Sequence, residues 1–324
     1  MVNQSSYMDA DSRRVSAPDT QQIRRLLVPE GEPHLEHLPE YLRRYRARYV
    51  FDPRVMLFEV RSRIEDETAV LEGFVANPGL KEGLVAALES LGISVRVDRL
   101  SIPPTDGKRF GIVEAEQSFQ RKTADADSEH VNELLRNESV ILMGPKESDS
   151  ILVQAMDGYL GWIPQGAIRQ MEKQGWRRLR ADIGPTDRAQ TAQLREEIVA
   201  AARERLGAPY LWAGRSERGL DCSGLVRRVY AKVGIHLPRD ADQQSLCGKI
   251  SGDTGWREDL EPGDLLFFAG KMGNITHVAL SLGGLDFIHA KGSQTVQEGS
   301  LSLQSTNYED RLNRMFFIAR RVLG

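Results

Sequence analysis

Apolar positions in the stretch after residue 221 recur at helical spacing. Leu225, Val226, Val229, Tyr230 and Val233 form one stripe, the i, i+3/i+4, i+7/i+8 pattern of a helix burying a single face. Asp221 is placed to cap this helix and Gly234 to stop it, which sets Cys222 in the first turn. A second stripe, Leu194, Ile198, Ala202 and Leu206, predicts a helix capped by Thr186 or Asp187 and ended by Gly207. Beyond Cys222 the pattern changes to short apolar runs. Leu265 to Ala269, Ile275 to Leu282 and Leu285 to Ala290 read as strands, the last two joined through Gly283-Gly284 as a hairpin.

Upstream, Val55 to Val60 and Ala69 to Val75 are rich in strand formers. Leu80 to Leu91 predicts a helix entered after Asn77-Pro78-Gly79 and stopped at Gly92, and Ser94 to Val97 alternates like a strand. This is a small α+β unit. Phe110 to Met171 holds short strands, Gly111 to Ala115, Ser139 to Met143, Ile151 to Ala155 and Tyr159 to Ile163, closely spaced as in a small β-barrel. Residues 1–45 are polar with little periodicity apart from a short stretch near Leu35 to Tyr45, which predicts a flexible start followed by a surface segment. The expected division is therefore a polar segment at 1–45, an α+β domain at 46–105, a β-barrel at 109–172, a linker at 173–186 and a final domain at 187–324. Pro103 to Gly107 reads as a further linker. The fold class is α+β.

At 324 residues the chain has room for two or three domains, and its 40% hydrophobic and 27% charged residues are ordinary for a globular protein. A net charge of −3 gives no basic surface for nucleic acid or an anionic membrane. No apolar run approaches the ~20 residues of a membrane span. Met1 to Pro18 lacks the apolar centre of a signal peptide, so the expected location is the cytoplasm, or the exterior if a leader was removed. Two cysteines, Cys222 and Cys247, make no disulfide framework.

A thiol in a first helical turn meets unpaired N–H groups and the positive end of the helix dipole, which favour thiolate. A cysteine nucleophile also needs a base, and the base an orienting partner. Three histidines follow Cys222. His236 lies just past the helix and reads as a packing residue. His277 and His289 lie on the two strands of the hairpin. Direct opposition would put them on one face and requires an odd-length loop, such as Leu282-Gly283-Gly284. A two-residue Gly-Gly turn would separate them onto opposite faces.

Two resemblances follow from particular residues. Asp157-Gly158-Tyr159-Leu160-Gly161-Trp162-Ile163-Pro164 resembles the closing strands of bacterial SH3-like domains. Six blocks in order resemble the NlpC-type cysteine peptidases, a papain-like family acting on bacterial cell-wall peptides: Tyr210-Leu211-Trp212-Ala213-Gly214, Asp221 to Leu225, Pro238-Arg239-Asp240, Pro262 to Phe268, His277-Val278-Ala279-Leu280 and Phe287-Ile288-His289-Ala290. The resemblance implies Cys222 as nucleophile, His277 as base and His289 as the residue orienting it, in a papain-like domain behind an SH3-like barrel. It places Tyr210 at the oxyanion and Arg239 with the substrate-side residues. In the subgroup with upstream SH3-like domains, the residues matching Asp221 and Ser223 hold the free amino group of an N-terminal L-alanine. There the barrel closes the cleft with a tyrosine, here Tyr159, and an acidic residue, here Glu129 or Glu133. A carboxylate beside a thiolate opposes activation, and a cationic partner for Asp221 would relieve that conflict. Trp162, Trp212, Cys247 and Asp264 read as structural. Ala213 and Ala241 depart from the family pattern, which usually has glycine and a hydroxyl residue there.

The implied activity is hydrolysis of murein tripeptides or tetrapeptides after γ-D-glutamate, before a diamino acid, without metal or cofactor, in cell-wall recycling. The rivals are an exported hydrolase of intact cell wall, a non-catalytic peptidoglycan-binding protein, and a papain-like acyltransferase or amidase.

Overall fold

The computed structural model describes residues 20–104, 109–171, 188–292 and 294–324. The chain divides into two units, Met1–Pro103 and Pro104–Gly324. The expected linker at 173–186, the helix cap at Thr186 or Asp187, and residues 105–107 of the other expected linker lie outside the described residues.

In the first unit, helices α1 (Thr20–Leu27) and α2 (Leu38–Tyr49) precede β1 (Phe58–Glu65), β2 (Thr68–Val75), α3 (Pro78–Glu89) and β3 (Ser94–Ser101). β1 and β2 pair antiparallel across a two-residue turn, Asp66-Glu67, in which both residues take positive φ. β3 lies parallel to β2 after the α3 crossover. Asn77 caps α3 by accepting from the Leu80 N–H at 2.9 Å, and Pro78 occupies the first turn, where no N–H is missed.

The segment expected at the surface supplies core instead. Leu38, Tyr41, Leu42 and Tyr45 are buried with Leu71, Leu84 and Leu88. They fall at i, i+3, i+4 and i+7, a helical stripe masked by the arginines at 43, 44, 46 and 48 that cover the other face.

In the second unit, seven antiparallel strands come first: β4 (Phe110–Val113), β5 (Gln117–Arg121), β6 (His130–Leu135), β7 (Ser139–Glu147), β8 (Ser150–Ala155), β9 (Leu160–Pro164) and β10 (Ile168–Met171). Their order in the sheet is β10-β4-β7-β8-β9-β5-β6. The Asp157-Gly158 turn forms as expected, with Gly158 at φ 94° and the Tyr159 N–H donating to Asp157 at 2.9 Å.

The same unit continues with α4 (Arg188–Arg203), a small ribbon of β11 (Arg215–Ser216) and β12 (Gly219–Leu220), α5 (Cys222–Lys232) and α6 (Ala241–Gln244). Then come β13 (Lys249–Asp253), β14 (Leu265–Ala269), β15 (Ile275–Gly283), β16 (Asp286–Ala290), β17 (Val296–Ser300), α7 (Asp310–Met315) and β18 (Phe316–Arg321). Six of these strands form an antiparallel sheet in the order β13-β18-β14-β15-β16-β17. Alternation divides its apolar side chains between two cores. Leu265, Phe267, Val278, Leu280 and Ile288 pack with Val226 and Val229 of α5 and Ile198 of α4. Leu266, Phe268, Ala279 and Phe287 pack with Leu312 and Phe316. Asp264, fully buried, accepts from Arg321 at 2.8 and 3.0 Å and lies 3.4 Å from Arg195, a structural role as expected.

The hairpin closes differently from the three-residue expectation. Gly283 pairs with Asp286 across a two-residue turn, Gly284-Leu285, while Ser281 pairs with Phe287 and Leu280 with Ile288. Leu282 is thus extra on its strand, a bulge. The added residue restores the parity that a bare two-residue turn would lose. His277 and His289 share a face as diagonal neighbours rather than as a directly opposed pair.

If α2 belongs to the first core, Leu38→Ala removes a side chain only 1% exposed. It is expected to destabilise the protein by about 2–5 kcal/mol, measured by equilibrium urea unfolding. A surface segment would give a change near zero.

Candidate active site

Cys222 opens α5. The Asp221 side chain accepts from the Gly224 N–H at 2.7 Å, the N-cap that fixes the helix start. A Cβ on Gly224 would lie 2.1 Å from the Gly214 carbonyl oxygen, so only glycine lets the first turn of α5 rest on the Gly214 loop. Ala213 in that loop takes φ 64° and is 1% exposed. This left-handed conformation costs a residue with a Cβ about 1–2 kcal/mol, which is what the expected glycine would avoid.

The backbone N–H of Val278 on β15, one residue from His277, acts on the Cys222 sulfur and favours its ionised form. Burial pushes the thiol up to about 12, and Asp221 adds to the rise; the N–H groups of Val278 and Ser223 and the Arg239 charge pull the other way. The helix-start argument alone predicts a thiolate, yet desolvation outweighs the first-turn donors. The residue as a whole is only partly buried.

Nε2 of His277 lies 2.8 Å from Nδ1 of His289, with the rings edge to face at 82°. Phe268 and Phe287 flank the pair at 5.6 and 5.2 Å between ring centroids. Burial drives His277 down to about 3, His289 adds to the fall, and Glu309 opposes it. Glu309, just before α7, is a residue the sequence reading missed. Its Oε1 lies 3.3 Å from Nε2 of His289, off-line for a hydrogen bond. The His289 ring, and after it Lys291, hold its carboxyl at about 2 despite partial burial.

Tyr210 sits partly buried beside this centre. Burial first, then Cys222 and Asp221, push its phenol well above the usual range, so it is a hydrogen-bond donor.

Asp221, Ser223 and Arg239 come together, but not as an open substrate site. They are 4%, 4% and 3% exposed. Arg239 pairs with both oxygens of Asp221 and donates to Ser223 Oγ at 2.7 Å. Burial works against the Arg239 charge, and Asp221 more than compensates. The cation that Asp221 requires is therefore in the chain itself, in the buried Arg239 side chain.

Tyr159 donates to Asp240 Oδ2 at 3.0 Å, joining the seven-stranded sheet to the start of α6. The two candidate acidic residues of the sheet are both engaged with basic residues of the chain. Glu133 is fully buried and accepts from the Arg215 backbone N–H at 2.5 Å, and Glu129 is 3.5 Å from Lys122. Trp212, expected to pack, is 57% exposed and donates to the His130 carbonyl at 2.9 Å. Cys222 and Cys247 are both free thiols, and His236 is half-buried, its ring pushed down by burial.

The comparisons with known proteins bear on this geometry. The model of the NlpC/P60 family matches residues 207–316. A gamma-D-glutamyl-L-lysine dipeptidyl-peptidase from Bacillus cereus (strain ATCC 10987 / NRS 248) is 30% identical over 188 residues, 55% of this chain and 54% of that protein. A protein of the same name from Bacillus subtilis (strain 168) is 38% identical over 120 residues, 36% of this chain and 38% of that protein. The chain thus spans about half, or less, of the length of these relatives. Among solved structures, an NlpC/P60 family protein from Bacillus cereus ATCC 10987 is 26% identical, with a TM-score of 0.36 over 67% of this chain and 64% of that one. The matched stretch holds the α5 thiol and the His277–His289 pair: it is over residues 207–316 that this chain is similar to the NlpC/P60 family.

Proposed function

We propose that the chain is a cysteine endopeptidase that hydrolyses the γ-D-glutamyl–diamino acid bond of murein tripeptides or tetrapeptides with a free N-terminal L-alanine. The observation that carries this reading is the thiol at the tip of α5 together with His277, whose ring is held by His289 at 2.8 Å. The names of the two Bacillus relatives support the substrate class.

The acid–base chemistry starts from a neutral thiol and a neutral imidazole, because burial raises one and lowers the other. As sulfur attacks the γ-glutamyl carbonyl, its proton passes to Nδ1 of His277 and a C–S bond forms. The oxyanion is met by N–H groups at the α5 start and by the Tyr210 phenol, which is protonated and so donates. The His277 imidazolium then gives its proton to the departing amine as the C–N bond breaks. Water, deprotonated by His277, hydrolyses the thioester and releases Cys222.

We read the seven-stranded sheet as an SH3-like barrel that closes one end of the cleft, a reading supported by the Tyr159–Asp240 contact. A closed end would admit only peptides already trimmed to their N-terminus, which fits recycling in the cytoplasm. Because Asp221 already has Arg239, its part in holding the substrate amine is to orient a shared network rather than to supply an unpaired charge.

Incubation with L-Ala-γ-D-Glu-meso-diaminopimelate is expected to release L-Ala-D-Glu, and Cys222→Ala to abolish release. No product from the wild type would count against the assignment. Alkylation of native Cys222 by iodoacetamide is expected to be slow near pH 6 and to rise continuously through pH 9, because the thiol titrates above that range. A rate already level between pH 5 and 8 would mean a preformed thiolate–imidazolium pair instead.

A further inference from the structure

We propose that Glu309 is a positioning residue that fixes the tautomers of both histidines and so leaves Nδ1 of His277 free to accept the thiol proton. The proposal rests on the peptidase reading above for its role in catalysis, though not for the tautomers themselves.

The argument begins with proton counting. Each neutral imidazole carries one N–H. The 2.8 Å contact between Nε2 of His277 and Nδ1 of His289 admits one proton between the two nitrogens, which leaves two arrangements. In the first, His277 carries Nε2–H and donates it, so His289 carries its own proton on Nε2. In the second, His289 donates from Nδ1–H, so its Nε2 is bare and His277 must hold its proton on Nδ1. Only the first gives His277 a lone pair on Nδ1. The second puts an N–H there and removes the base.

The hairpin does not choose between them, because both make the same ring–ring hydrogen bond. The group beyond His289 does. Nε2 of His289 is buried, has no hydrogen-bond partner aligned on it, and faces the Glu309 carboxylate at 3.3 Å. In the first arrangement an N–H dipole points at a negative charge. In the second a lone pair does. With His289 1% exposed, water cannot screen the difference, and the contact acts through charge even without good alignment.

The carboxylate is itself fixed in place and in charge. Lys291 Nζ lies 3.0 Å from both of its oxygens, and Gln297 donates to Oε1 at 3.2 Å. Its backbone N–H is bonded to the Ser300 carbonyl at 2.9 Å, and its carbonyl accepts from the Asn313 N–H at 2.8 Å. The other charged groups felt at His277 are Lys291 and Arg311, both of which oppose protonation of the ring. Glu309 is the acidic group that favours it, so it also stabilises the imidazolium formed during attack.

The test is long-range 15N–1H NMR of the histidine rings in the full chain, read beside steady-state kinetics. The wild type is expected to show Nε2–H on both His277 and His289. In Glu309→Ala, both rings are expected to shift at least partly to Nδ1–H, and kcat to fall about a hundredfold or more, as wrong-tautomer variants of other triads do, with KM little changed. Glu309→Gln, close in shape but uncharged, keeps only the partial negative charge of its amide oxygen toward His289 Nε2, so its tautomer shift and its loss of kcat are expected to fall between those of the wild type and Glu309→Ala. It also reports if the alanine variant fails to fold. Unchanged tautomers in Glu309→Ala, or wild-type rings carrying Nδ1–H, would overturn the proposal. Expected tautomers in a wild type that cleaves no murein peptide would sink the peptidase reading and leave the tautomer assignment standing.

Discussion

The buried ion pair between Asp221 and Arg239 is the constraint on which the rest of the centre depends. One carboxylate caps α5, binds Ser223 and lies beside the sulfur. Left alone it would have to be buried as an unpaired charge, and it would suppress ionisation of its neighbour. Arg239 answers both problems from the other side of the helix start. Removing either partner of a buried pair strands the other charge, typically at about 3–5 kcal/mol. The helix start, the thiol position and the local field are therefore one arrangement, not three.

A second consequence concerns the resting state of the thiol. Helix-tip donors pull Cys222 toward thiolate, and burial pushes harder in the opposite direction. The same apolar surroundings lower His277. Proton transfer is then coupled to attack rather than completed beforehand, and the groups that steer the imidazole matter as much as those around sulfur. That shifts attention to His289 and to the side chains behind it.

Much of this was legible from residue order. The stripe from Leu225 to Tyr230, with Asp221 before it, specified a capped helix with a thiol in its first turn, because helix periodicity and capping are local. The two histidines were legible as same-face partners, because strand parity is local as well. Their diagonal offset was not, since it turns on a bulge at Leu282 that the Gly283-Gly284 signal does not encode. Leu38, Tyr41, Leu42 and Tyr45 lie in a short periodic stretch that reads as surface from sequence, because arginines between them lower the average hydrophobicity of a stripe whose spacing is intact. Glu309 and the inward turn of Arg239 are contacts across the fold, which no local pattern carries.

The seven-stranded sheet meets the α5 region through charged side chains: Arg215 with Glu133 and Glu138, Arg227 with Asp157 at 2.7 Å, and Tyr159 with Asp240. Asp157, its side chain 8% exposed, is held ionised largely by Arg227 against its own desolvation. A seam of this kind resists modular exchange. Excising the sheet, or grafting an unrelated one in its place, would leave Arg215 and Arg227 as stranded cations next to the nucleophile's helix, so in this chain the sheet and that helix form one electrostatic unit.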